Sequence, residues 1–114
     1  MAWEQPLQCI SLIAASDLSA KQFYAVKVNS DGKVVLAGAG ERAAGILQND
    51  PASGKVANVM TFGVSKAVYG ASVTAGAELE VDANGKLITA ATGKVVGIAL
   101  EGGSADEIHS VLLK

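Results

Sequence analysis

Val81-Asp82-Ala83-Asn84-Gly85-Lys86-Leu87-Ile88 reads as a tight turn between two strand-forming runs, and so does Val28-Asn29-Ser30-Asp31-Gly32-Lys33-Val34-Val35. The pairs Asp31-Gly32 and Asn84-Gly85 suit a reversal that needs positive φ, which Asn, Asp and Gly tolerate best. Taken as two-residue type I′ loops, they set Val81 opposite Ile88, Leu79 opposite Ala90, Val28 opposite Val35 and Val26 opposite Ala37. Opposed residues share a face. Leu79, Val81, Ile88 and Ala90 then form an apolar face, with Glu80, Asp82, Leu87 and Thr89 on the other. A β-branched residue at Gly32 or Gly85 is expected to destabilise either hairpin alike.

The two turns align with each other at one constant offset. After a one-residue gap, Arg42-Ala43-Ala44-Gly45-Ile46 matches Lys94-Val95-Val96-Gly97-Ile98. This predicts an internal duplication of hairpin, loop and return strand. Further strands are expected over residues 8–14, 55–62, 64–69, 94–100 and 107–113, with loops at 49–54 and 102–106 where turn formers concentrate. Asp17 could cap a single helical turn over 17–22. The fold class is all-β, a small single-domain β-barrel or sandwich built from hairpins over residues 8–114. Residues 1–7 read as an extended N-terminal arm, because they hold the sole tryptophan and Pro6 and show no strand pattern.

Composition bounds the function. The 114 residues are 50% hydrophobic and only 18% charged, below the share of about 25% usual for soluble domains. The surface must carry small uncharged residues, be covered by partner chains, or both. A net charge of −2 without a basic cluster excludes the phosphate neutralisation that drives nucleic-acid affinity. No apolar run approaches the roughly 20 residues needed to span a bilayer, so no membrane partner is expected. The first residues carry no basic region ahead of an apolar stretch, and cytoplasmic synthesis is the expectation.

Chemistry is sparsely supplied. Cys9 is the single cysteine and His109 the single histidine. Cys9 stands among Leu7, Ile10, Leu12 and Ile13 and reads as a buried structural thiol, and His109 as a surface or satisfied strand residue. Glu78, Glu80 and Asp82 alternate along one strand. They read as a solvated face, with calcium binding the sharper alternative. Gly38-Ala39-Gly40-Glu41 lacks the Lys-Ser/Thr pair of a phosphate loop and reads as a tight connection. No catalytic residue, cofactor or metal is expected.

The order of these segments resembles the capsid cement, or head decoration, proteins of tailed bacteriophages. The likeness runs through Asp17-Leu18-Ser19-Ala20-Lys21-Gln22-Phe23-Tyr24, Gly38 to Pro51, Gly63-Val64-Ser65-Lys66, Val73 to Leu79, Asp82 to Lys86, Gly97 to Leu100 and Ile108 to Leu113, nearly the whole chain. It implies a non-enzymatic protein of the virion's outer capsid surface, made in the bacterial host cytoplasm. Such a protein binds the major capsid protein lattice of the expanded head and locks neighbouring subunits together. The resemblance further implies a homotrimer, and a capsid-binding arm comprising Ala2, Trp3, Glu4, Gln5, Pro6 and Leu7. An unpaired arm could add a strand to a partner's open sheet edge. The alternative is a small surface-displayed receptor- or glycan-binding β domain, which the aromatic content of 4% disfavours.

Overall fold

The computed structural model describes residues 2–114, so the first residue of the expected arm lies outside it. Nine strands and no helix make up the described residues: β1 (Gln5–Ile13), β2 (Ala25–Val28), β3 (Val34–Leu36), β4 (Gly45–Leu47), β5 (Val56–Val68), β6 (Glu78–Val81), β7 (Leu87–Thr89), β8 (Gly97–Ala99) and β9 (Ile108–Leu113). They form one curled antiparallel sheet, a half-barrel, ordered β3-β2-β4-β5-β9-β8-β6-β7, with β1 paired to β5 off that path. Isolated parallel bridges from Ala14 to Val34 and from Tyr69 to Leu87 draw each hairpin back toward the strand that opens its half.

The duplication extends over the whole described chain. Ala25 pairs with Ile46 and Val26 with Gly45, as Glu78 pairs with Ile98 and Leu79 with Gly97. Ile46 pairs with Met60 as Ile98 pairs with Leu112. Ile13 pairs with Val56 as Val68 pairs with Ile108. The first repeat is therefore β1, β2, β3, β4 and the start of β5, and the second is the end of β5, β6, β7, β8 and β9. One strand serves both. The sequence predicts a break between 62 and 64 because Gly63 punctuates it, but the backbone passes Gly63 at φ 117 without leaving the sheet.

The cores repeat too. Ala14, Leu18, Val26, Val34, Leu47 and Val59 cluster in the first half. Their counterparts Tyr69, Val73, Leu79, Leu87, Ala99 and Val111 belong to the larger second cluster. That cluster also takes in Ala25, Ile46 and Met60 from the first repeat, so the two halves are packed as one body. Each fully buried Leu, Ile or Val contributes about 1.5–3 kcal/mol.

Three sequence expectations need correction. The hairpin turns are one residue longer than a type I′ loop: Val81 pairs with Leu87 and Val28 with Val34. Only Gly85 and Gly32 have positive φ in the two turns, while Asn84 and Asp31 do not. Asp82 N–H donates to the Lys86 carbonyl, and the Asp82 carboxylate accepts the Asn84 and Lys86 amides. Asn29 repeats both arrangements toward Asp31 and Lys33. The Asx side chain four residues before the lysine thus organises a three-residue loop ending on a left-handed glycine. The slip moves Leu87 and Val34 into the core and leaves Ile88 half-buried opposite Glu80. Residues 18–21 and 21–24 form two successive hydrogen-bonded β-turns, not a helical turn, with Asp17 accepting the Ser19 amide. Cys9 is exposed, because β1 lies on the surface along most of its length.

The two turns also part company in their surroundings. A Cβ at Gly85 would stand 2.6 Å from Leu36 Cδ1, whereas one at Gly32 would meet nothing within 4 Å. Gly32→Val should lose about 1–2 kcal/mol from left-handed strain alone. Gly85→Val should lose roughly 3 kcal/mol, since Leu36 must also give way. Urea midpoints of the two variants check this, and equal losses would show that Leu36 does not pack on the second turn.

Candidate functional site

The N-terminal segment lies along the sheet instead of standing free. Gln5-Pro6-Leu7, expected in an unpaired arm, are the first three residues of β1, with Gln5 paired to Val64 and Pro6 to Gly63. A Cβ at Gly63 would sit 2.6 Å from the Gln5 carbonyl oxygen and 2.7 Å from the Leu7 nitrogen, so the close approach depends on glycine. Register shifts flank Gln8, next to the proline that cannot donate to the ladder. Further back, Trp3 N–H donates to Ser110 Oγ (2.6 Å) and the Ser110 hydroxyl donates to the Trp3 carbonyl (2.8 Å). Trp3 remains 43% exposed, and Glu4 is exposed beside it. The structure thus ends the arm at Glu4 and lays what remains, from Ala2, over the second repeat.

Exposed apolar groups concentrate on this side. Leu7, Phe62, Val56, Trp3 and Ile13 are all exposed, and Ile13 and Val56 face each other across the ladder. The β1 sequence Gln5-Pro6-Leu7-Gln8-Cys9-Ile10-Ser11-Leu12-Ile13 has no charged residue. Strand β1 bonds to β5 along one edge only. Proteins usually guard such edges with lysine, proline or a bulge, and the stretch from Cys9 to Ile13 has none. A groove of about 340 Å³ lies beside it, lined by Ser11, Leu12, Ile13, Asp31, Gly32, Lys33 and Val56. This surface can pair main chain and bury apolar area.

A polar cluster lies under the Trp3 attachment. Glu101 accepts the Ser110 amide (3.0 Å), and its carboxylate lies 3.3 Å from His109 Nδ1. His109 Nε2 lies 3.0 Å from Glu107. Tyr69 donates its hydroxyl to the Glu101 carbonyl (2.7 Å), with its ring 5.2 Å from the imidazole. Burial pushes the Tyr69 hydroxyl up to about 12, with the Glu101 charge adding to it. The Ser104 amide and then His109 hold Glu107 below its ordinary value. In the first repeat Asn49 accepts the Asn58 amide at the equivalent place, so the shared element is a loop brace.

The other candidate groups are likewise engaged. Glu80, read from sequence as solvated, is buried and accepts the Ala91 amide, while Asp82 braces its turn and only Glu78 faces water. Among the described residues no cluster of His, Cys, Asp and Glu is placed to hold a metal. In the glycine-rich connection the Gly38 amide donates to the Glu41 carboxylate and the Gly40 amide to the Val81 carbonyl. Lys27 holds Glu41 below its ordinary carboxylate value, with the Gly38 amide second. Sequence reasoning missed Ser110 and Tyr69; the duplication could have flagged Ser110, which stands where the first repeat has Asn58.

A search of curated proteins gave no match. Among solved structures, the N base of head fiber gp8.5 of bacteriophage phi29 superposes with a TM-score of 0.73, at 15% identity, covering 94% of this chain and 93% of that one. At that identity the likeness shows a common fold. The model of the phage cement protein family matches residues 6–114, everything from the second residue of β1 to the C-terminus. The chain belongs to the phage cement protein family.

Proposed function

We propose that the protein adds to the outer surface of the expanded phage head and ties neighbouring major capsid subunits together, as a homotrimer, without catalysis, cofactor or nucleic-acid contact. Family membership gives the cement role. The observation that carries the mode of attachment is the uncharged start of β1, with Trp3, Leu7 and Phe62 exposed around it. Capsid segments cover those side chains, and residues 2–7 form part of the same contact.

Apolar burial and main-chain pairing are little screened by salt. Binding to purified expanded heads, followed by pelleting, should therefore persist when salt is raised to the molar range and when EDTA is added. Release by EDTA would show that a divalent cation, not apolar burial and main-chain pairing, holds the contact. Failure to bind expanded heads under any condition would overturn the reading.

A further inference from the structure

The groove beside β1 has a filled counterpart inside the same chain. In the second repeat, the edge of β5 and the Asn84-Gly85 turn receive a piece of the first repeat. Val68 N–H donates to the Phe23 carbonyl (3.1 Å), Ala25 N–H donates to the Gly85 carbonyl (2.8 Å), and Leu36 lies over Gly85. The duplication equates Val68 with Ile13 and Gly85 with Gly32. In the first repeat that place is the open groove, lined by Ser11–Ile13, Asp31–Lys33 and Val56. Ala14 N–H donates toward β5, to the Lys55 carbonyl, so strand alternation points the Ile13 N–H away from β5 into the groove.

The inserting segment also has a second, unused version. Phe23 and Ala25 correspond to Gly76 and Glu78, and Phe23 (φ 70) and Gly76 (φ 89) share the same left-handed backbone. The Glu78 carbonyl accepts from Ala90 as the Ala25 carbonyl accepts from Ala37. Gly76 and Glu78 are exposed. We propose that the groove of one copy takes the Gly76–Glu78 edge of a second copy, repeating between chains the contact made between the repeats within one. This rests on the self-association proposed above and assigns its interface.

Charge fits the assignment. Lys86 pairs with Asp106 in the second repeat, but the first repeat has Gly54 at the position equivalent to Asp106, and Lys33, the counterpart of Lys86, makes no ion pair among the described residues. Glu78 of the incoming copy, with its amide on the Gly32 carbonyl, stands beside Lys33. Such a contact is head-to-tail and closes into a ring when the rotation between copies permits. Docking also displaces the N-terminal segment. The end of the first repeat, Met60–Phe62, leads into Val64 as Gln5–Leu7 leads into Cys9, so the incoming copy's β9 reaches the path that Gln5–Leu7 follows. Trp3 is tied to Ser110, and loosening that tie favours association.

The test mixes unlabelled and ¹⁵N-labelled full-length protein, treats the oligomer with a zero-length carbodiimide cross-linker and maps the products by mass spectrometry. Lys33 and Glu78 should be joined between light and heavy copies. Ser110→Ala should shift association, measured by sedimentation, to a severalfold lower concentration, and Val56→Glu, on the exposed groove wall, should abolish it. An oligomer without the mixed-isotope Lys33–Glu78 product, or one unchanged by Val56→Glu, would overturn this contact while leaving a trimer standing. A monomer at every concentration, with Ser110→Ala included, would remove both.

Discussion

Gly97→Val should leave the chain unable to fold, and Gly45→Val should do the same. Both glycines sit where the return strand of a repeat crosses closest to its neighbour. A Cβ on Gly97 would overlap the Leu112 carbonyl, and one on Gly45 the Met60 carbonyl. These obstacles are main chain, so no rotamer change relieves them. β8 would have to leave β9, or β4 leave β5, with loss of the Ile98–Leu112 or Ile46–Met60 pairing. The expected penalty exceeds about 4 kcal/mol, a large share of the roughly 5–15 kcal/mol that stabilises a typical domain. Circular dichroism and urea unfolding of the purified variants measure it. A near-native midpoint for either would mean that the repeat tolerates a wider strand spacing than the structure shows.

Trp3→Ala should weaken capsid binding by roughly 30-fold, corresponding to the loss of about 2 kcal/mol common when an interface tryptophan is truncated. The fold should survive, because the bonds to Ser110 come from the Trp3 main chain and the residue is already 43% exposed. As the sole tryptophan, it also reports on itself. Its emission should shift to the blue when expanded heads are added. Equal affinity of Trp3→Ala and wild type in a pelleting titration would take the residue out of the contact.

The repeated Asx-Gly turns and strand-forming runs made the fold class and the duplication legible in sequence. The register was not, because the same Asn-Gly and Asp-Gly pairs fit a two-residue loop or a three-residue loop braced from Asp82 and Asn29. A slip of one residue exchanges the faces of β7, which is why Leu87 reads from sequence as a residue of the polar face. Leu87 is core, and the Glu80 carboxylate finds the Ala91 amide only after the connection from β7 to β8 has folded over it. The surface around β1 was legible in composition, as missing charge, but not in place. Cys9 and its apolar neighbours look like interior strand residues, and only the pairing of β1 to a single partner shows that they lie at an edge. The pairing of Gln5 and Pro6 with β5 was hidden by Pro6 itself, whose missing donor is tolerated opposite Gly63.

Because β5 closes one repeat and opens the next, the molecule contains no seam at which half of it can melt. Its 13 residues give the first repeat its pairing to β1 and β4 and the second its pairing to β9. Loosening either half strips partners from a strand the other half needs, so denaturation is all-or-none instead of stepwise. The absence of a linker also removes any hinge, and displacement of one repeat is carried to the other through a continuous ladder of amides. In the cement role proposed above, such a body acts as a stiff strut, with no slack to take up between the subunits it would tie.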